Sequence, residues 1–332
     1  MKFLVVAGTT ETATVDGISA AGADPTATYH TPAADLELLE YGDTVFTPSV
    51  PVSPSGCPTP AVITRSVREL APFELLAVES GLATATATPT LTACQQPGGD
   101  IREPEPVPAA EGIFERARQV GRQLPDDELF IGESIPGGTT TALGVLTALG
   151  EPFGVSSSLP ENPVSLKQAV VATALDASEI RGGDLAGDPR NAIRLMGDPV
   201  LAAVLGVAVG ATETGTSVTL AGGTQMIAAG ALVRHFGVDH PLEIATTAFV
   251  AADETVEIQR AAESLDLDLT VTDPEFERGD HVAFERYCRG EAKEGVGMGG
   301  ALAFAARAGI SMQEIRAQVL DTYEEVIGSD GP

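Results

Sequence analysis

One local device occurs three times in this chain: a glycine-rich turn set directly before a run that reads as helix. The copies are Gly132-Glu133-Ser134-Ile135-Pro136-Gly137-Gly138-Thr139-Thr140-Thr141, Ala221-Gly222-Gly223-Thr224-Gln225-Met226 and Lys293-Glu294-Gly295-Val296-Gly297-Met298-Gly299-Gly300. The first two follow apolar, strand-like runs at 128–131 and 217–220. A strand, a glycine turn and a helix N-terminus together make an anion site. The first-turn N–H groups have no intrahelical partner, and the helix dipole favours negative charge there. Glycine lets the backbone approach a phosphate with no Cβ between them. In a parallel sheet such turns all emerge at the carboxyl edge, so two or three of them can converge on one ligand.

The rest of the chain supplies such a sheet. Strand candidates at 3–7, 44–47, 74–78, 128–131, 217–220, 244–250 and 267–271 alternate with helix candidates. The helix candidates are 33–41, 61–70, 112–123, 140–149, 165–175, 199–208, 225–236, 256–265, 281–289, 300–308 and 312–327. Alternation of this kind predicts an α/β fold: three α/β/α layers around a mostly parallel, Rossmann-like sheet, with a small helical lobe from the chain ends. The expected organisation is a single domain over 1–332 with a C-terminal helical part at 281–330. Two stretches interrupt the pattern, a proline-rich one at 47–60 and a Pro/Gly/acid-rich one at 94–110; both read as surface excursions.

Charge narrows the setting. The chain carries 47 acidic and 19 basic residues, a net charge of −28, and its only lysines are Lys2, Lys167 and Lys293. Acids spread along the chain with lysine depleted describe a surface that stays hydrated in concentrated salt, which points to the cytoplasm of a halophile. Such a surface repels nucleic acid and anionic membranes. No segment reaches the ~18–20 apolar residues of a membrane span, and the short apolar run at 3–7 reads as a strand. Cys57, Cys94 and Cys288 show no metal-ligand spacing and are expected to be idle thiols; no metal or cofactor is expected.

The first turn offers the Gly137 and Gly138 amides and the Thr139, Thr140 and Thr141 hydroxyls at a helix start. Without a lysine after its glycines it is not a nucleoside-triphosphate loop. Gly222, Gly223, Thr224 and Gln225 repeat the geometry with fewer polar groups. Gly295, Gly297 and Gly300 formally satisfy GxGxxG, but the run before them is charged and helical. The first βαβ unit, where a dinucleotide fingerprint belongs, lacks it at Gly8-Thr9-Thr10-Glu11. The third turn therefore reads as a ligand-contacting bend. Two carboxylates, Glu133 and Glu294, lead into these turns and could take a proton from a bound molecule. Lys293 beside Glu294 would favour its ionised form if its side chain turns the same way. Asp16, Asp35 and Asp253 are further carboxylates with no specific signal. The histidines, His235, His240 and His281 among them, read as surface or capping residues.

These blocks together resemble the archaeal branch of the nicotinate-nucleotide–dimethylbenzimidazole phosphoribosyltransferases, which make the lower-ligand nucleotide of cobalamin. The Ile131–Ala142 stretch is similar to that family's Gly-Glu-x-x-x-x-Asn-Thr-Thr block. The 221–230 stretch resembles its Gly-Gly-x-Glu block, with Gln225 where bacterial members carry glutamate. Glu294-Gly295-Val296-Gly297 resembles the Glu-Gly-x-Gly block that carries the catalytic glutamate. Ala7-Gly8-Thr9-Thr10 through Gly17-Ile18-Ser19-Ala20 resembles the first strand and loop. The resemblance implies transfer of 5-phosphoribose from nicotinate mononucleotide to an azole or purine base, with Glu294 as base. It implies substrate contacts from Glu133, Gly137–Thr141, Gly222–Gln225, Gly295 and Gly297. It also implies a homo-oligomer, a dimer favoured. Dimethylbenzimidazole, adenine and phenolic bases all remain open as acceptors. From the residues alone, two other readings stand: a nicotinamide-cofactor or other nucleotide-binding α/β enzyme, and a non-catalytic protein that binds a phosphorylated ligand.

The acidic surface has a direct consequence. Salt screens repulsion among exposed carboxylates, so the thermal midpoint is expected to rise steadily from 0.1 M to molar KCl in a calorimetric series.

Overall fold

In the computed structural model, which describes residues 1–19, 27–53 and 55–328, seven strands form one sheet in which every pairing is parallel. Ala20 and the end of the 281–330 segment lie outside the described residues. The strands are β1 (Lys2–Ala7), β2 (Glu74–Ser80), β3 (Thr90–Cys94), β4 (Glu128–Ser134), β5 (Ser217–Ala221), β6 (Leu242–Thr247) and β7 (Leu267–Thr272). Their order is β3-β2-β1-β4-β5-β6-β7. The chain builds outward from β1 in one direction, returns to β4, and builds outward in the other. That reversal opens a crevice at the carboxyl ends of β1 and β4, where open α/β sheets bind ligands.

β1 shows why the sheet is central. Phe3, Val5 and Ala7 enter one hydrophobic cluster while Leu4 and Val6 enter the other. A strand buried on both faces needs this unbroken apolar run. On the Leu4 face lie α3 (Ala110–Gln123), α4 (Gly138–Leu149), α5 (Val164–Ala177), α6 (Pro189–Met196), α7 (Pro199–Glu213), α8 (Thr224–His235) and α10 (Ile258–Ser264). On the Phe3 face lie α1 (Thr31–Tyr41), α2 (Ala61–Leu70), α11 (Val282–Cys288), α12 (Met298–Arg307) and α13 (Met312–Val326). The two chain ends thus share one layer, with α2 against α12 and α13; Ser66 on α2 donates to Thr322 on α13 (3.0 Å). Phe3 stacks between Phe73 and Phe130, with ring centroids 4.7 and 5.7 Å away.

Several elements differ from the sequence expectation. Residues 44–47 are not a strand: the Val45, Phe46 and Thr47 amides donate to the Glu37 carboxylate at 2.7, 3.0 and 3.1 Å, which bends the segment around α1. β6 stops at Thr247 because the Thr247 hydroxyl caps a short helix, α9 (Ala248–Ala251), accepting from the Val250 amide. The edge strand β3 and the short α6 had no distinct sequence signal, the first lying in a threonine-rich run and the second spanning only eight residues. The 94–110 stretch exposes Arg102, Glu103, Pro104 and Glu105 and is anchored to the core at other points. Ile101, Val107 and Ala110 are buried in the core, and the Gly98 amide donates to the Thr9 carbonyl (2.8 Å). Cys57 and Cys94 are buried and Cys288 is exposed, all three as free thiols. His281 caps α11 by accepting from the Ala283 amide.

The closest helix packing joins α3 and α7. A methyl group at Gly206 would lie 2.4 Å from the Phe114 carbonyl oxygen, and one at Gly210 would lie 2.1 Å from that of Arg118. Gly210→Ala must push the two helices apart, so it is expected to cost about 1–3 kcal/mol, read as a lower urea midpoint in molar KCl.

Candidate active site

The three glycine turns do converge. β4 ends in Glu133-Ser134, and Gly137-Gly138-Thr139 then opens α4. Gly223-Thr224-Gln225 opens α8 after β5, and Lys293-Glu294-Gly295 precedes α12. All of these residues line one cleft at the carboxyl edge, enclosing about 990 Å³ including its open mouth. A Cβ at Gly138 would sit 2.6 Å from Gln225 Oε1, and one at Gly223 would sit 3.4 Å from Glu294 Cβ, so the turns are in mutual contact. The outer wall comes from Pro51, Val52, Ser53 and the 57–60 segment. The proline-rich stretch, with Pro48, Ser49 and Ser55 exposed, thus also forms a wall of the cleft.

Four of the expected residues sit behind the wall instead. The Gly222 amide is engaged by the Ala245 carbonyl (2.9 Å). Thr140 is buried in α4, and the Thr141 hydroxyl donates to the Gly138 carbonyl (2.9 Å) and the Asp198 carboxylate (2.5 Å). Gly297 turns with φ +72° where a side chain would meet the Phe3 ring at 2.6 Å. Its role is close packing of α12 on β1 and β4. The Gly138 and Thr140 amides already donate to the Ile135 and Gly137 carbonyls (3.2 and 2.9 Å), so the α4 turn carries part of its own hydrogen bonding.

The chemistry of the cleft is set by buried carboxyl groups. Glu294 Oε1 accepts from the Gly299 amide at 2.9 Å and the Gly295 amide at 3.2 Å, and Thr246 donates to Oε2 at 3.4 Å. Burial outweighs those bonds and lifts its pKa to about 7. Glu133 is lifted well above its ordinary range, first by burial and then by the nearby charges of Glu294, Asp198 and Asp35. Asp35 accepts from Thr59 (2.7 Å) and Ser134 (2.6 Å), and burial raises it to about 6. Asp198 caps α7 and takes hydrogen bonds from Thr141 and Gln225; burial raises it too. Burial and its acidic neighbours bias Glu133 toward its neutral form, while Glu294, at about 7, is placed to change protonation near neutrality.

The positive charge lies elsewhere. Lys167 is fully buried and donates to Thr139 (2.9 Å) and the Ser156 carbonyl (2.6 Å), directly behind the cleft wall. Burial, then repulsion from Lys293, lowers its pKa to about 7. Lys293 does not serve Glu294 as expected; its ammonium pairs with Asp253 at 2.9 Å. Of the three further carboxylates named from the sequence, Asp35 lines the cleft, Asp253 holds Lys293, and Asp16 is exposed. Sequence reasoning did not single out Lys167, Asp198 or Ser156–Ser158. One signal was present: in a chain with three lysines, the two interior ones are both at this site. Among the described residues, no cluster of His, Cys, Asp or Glu has metal-binding geometry, and no helix is long and apolar enough to cross a membrane.

Comparison with known proteins places the chain. A UPF0284 protein of the halophile Halobacterium salinarum is 59% identical over 325 residues, covering 98% of each chain. A UPF0284 protein of Methanothermobacter thermautotrophicus is 42% identical over 336 residues, covering 98% of this chain and 93% of the relative. The chain belongs to the UPF0284 family. No family model matches it. The UPF0284 fold is that of two solved structures from Thermus thermophilus. One is CobT, with TM-score 0.64, 18% identity, and coverage of 98% of this chain and 85% of the other. The second is described as a nicotinate-nucleotide–dimethylbenzimidazole phosphoribosyltransferase, with TM-score 0.60, 17% identity and the same coverage.

The buried carboxyls link stability to pH. A carboxyl raised in the folded state stabilises fully below its unfolded pKa, and that contribution is lost as pH rises through the folded value. For Glu294, lifted from 4.5 to about 7, the penalty above pH 7 is on the order of 3 kcal/mol. Glu294→Gln is therefore expected to raise the thermal midpoint at pH 8, with the gain vanishing near pH 4.

Proposed function

We propose that this chain transfers 5-phosphoribose from nicotinate mononucleotide to 5,6-dimethylbenzimidazole or a related base, releasing nicotinate. The observation that carries the reading is Glu294: a half-buried carboxyl whose pKa is lifted to about 7, in one cleft with the lysine-backed N-terminus of α4. The CobT-like fold adds support.

The 5′-phosphate sits at Gly137–Thr139, with the Gly223–Gln225 turn beside it. The helix dipole and the Lys167 charge behind Thr139 supply the positive potential. The bond between C1′ and the pyridinium nitrogen breaks; its electron pair stays on that nitrogen, whose ring departs without its positive charge. A lone pair on an acceptor ring nitrogen forms the new bond to C1′ from the opposite face. The acceptor ring becomes cationic, and the proton on its other nitrogen passes to a Glu294 carboxylate oxygen. Glu133, biased toward its neutral form by burial and the neighbouring carboxylates, donates a hydrogen bond to a ribose hydroxyl or to the acceptor. General-base assistance of this kind contributes about 10²–10⁴-fold; the remainder comes from holding donor and acceptor in line.

Purified protein in molar KCl, given nicotinate mononucleotide and dimethylbenzimidazole or adenine, is expected to release nicotinate and form the base's riboside phosphate by chromatography. The rate is expected to rise as Glu294 ionises and to fall as Lys167 loses its charge, giving a narrow bell-shaped pH profile centred near 7. Glu294→Gln is expected to lose roughly 10²–10⁴-fold in kcat while still binding donor. No nicotinate release with any base would overturn the reading.

A further inference from the structure

The turn that carries Glu294 is strained. Between 290 and 297 the backbone takes positive φ at Gly290 (+84°), Ala292 (+45°), Gly295 (+142°), Val296 (+52°) and Gly297 (+72°). For Ala292, and more so for the β-branched Val296, that region is costly and persists only where the surroundings impose it.

Several bonds impose it here. The Ala292 amide donates to the Ser158 carbonyl (3.0 Å), and the Val296 amide to the Glu133 carbonyl (2.7 Å). Lys293 is held at both ends. Its carbonyl accepts from the Thr247 hydroxyl at 2.6 Å, the residue that caps α9. Its ammonium reaches Asp253, just beyond α9, at 2.9 Å, and the Ser157 carbonyl at 3.4 Å. Asp253 is itself fixed by the Thr255 amide and hydroxyl (3.0 and 2.6 Å) and by Ser156 (2.9 Å). With side-chain exposures of 9% and 7%, the pair is sheltered from solvent and weakly screened. Asp253 balances the Lys293 charge, so the ammonium brings little net field to the cleft.

We propose that the Lys293–Asp253 ion pair is a positioning clamp for Glu294. It draws the strained turn against α9, so that the Glu294 carboxylate stays on the Gly295 and Gly299 amides and faces the cleft. Lys293 is a positioning residue: it acts through the backbone it shares with Glu294. The kinetic consequence rests on the phosphoribosyl-transfer reading; the structural one does not.

The test compares Lys293→Met, Lys293→Arg and Asp253→Asn with wild type in molar KCl. Amide exchange is read first, without substrate. In Lys293→Met the Gly295 and Gly299 amides are expected to exchange at least ~10-fold faster, while the β1 and β4 amides keep their protection. Lys293→Arg, which restores the charge, is expected to return them toward wild type. Asp253→Asn, which keeps an acceptor but no charge, is expected to fall between. Kinetics follow with nicotinate mononucleotide and dimethylbenzimidazole. For Lys293→Met, kcat is expected to fall roughly 10²-fold, the scale of an ångström-size misplacement, with donor KM nearly unchanged. Lys293→Arg is expected to recover most of kcat. Unchanged exchange at Gly295 and Gly299 in Lys293→Met overturns the clamp. So does a rise in donor KM with kcat intact, which would make Lys293 a direct ligand. If wild type shows no turnover, the phosphoribosyl reading falls and the exchange data still decide the clamp; if Lys293→Met fails to fold, Asp253→Asn and Lys293→Arg decide it by the same exchange comparison.

Discussion

Glu133, Asp35 and Asp198 are buried and Glu294 half-buried at the carboxyl edge of the sheet, close enough for the charges of the other three to act on Glu133. Charged groups lose solvation when removed from water, and like charges add to the cost. The site answers by shifting Glu133 toward its neutral form and by giving Glu294 the amide of Gly299 at the start of α12, where the dipole favours an anion. With these arrangements, one carboxyl can change protonation near neutrality.

The same chain solves the opposite problem at its surface. Acids cover the exterior and lysine is almost absent from it, yet two of three lysines are kept inside, beside the cleft. Each is matched to a specific acceptor: Lys167 to Thr139 and the Ser156 carbonyl, Lys293 to Asp253 and the Ser157 carbonyl. Together they hold the Ser156–Ser158 loop on the cleft wall through its main-chain oxygens. Lys167 thus stands behind Thr139 at the start of α4, the Lys293 charge is balanced by Asp253, and the exterior carries its positive charge almost entirely on arginine.

Much of this architecture was readable along the chain, because it rests on local rules. The apolar run of β1 demands burial on both faces, and a glycine pair after a strand and before a helix marks the carboxyl edge. Glu133 and Glu294 could be picked out because each is adjacent to such a turn. Asp198 and Lys167 could not, since each reaches its partners over a large separation: Asp198 is 57 residues from Thr141, and Lys167 is 28 from Thr139. The strand expected at 44–47 failed for a related reason. Its residues suit a strand, but a single buried carboxylate, Glu37, takes their amides first.

Most of the order of elements, the parallel sense of the sheet, the acidic lysine-poor composition and the candidate base follow from the residues themselves, through periodicity, turn chemistry and charge count. Only the three-dimensional arrangement decided which glycines face the cleft and which serve packing, that the proline-rich segment forms its wall, and that Lys293 turns away from Glu294 toward Asp253. The reason is physical: a protonation state and a side-chain direction depend on which groups share a desolvated space, and that is a property of the packed chain.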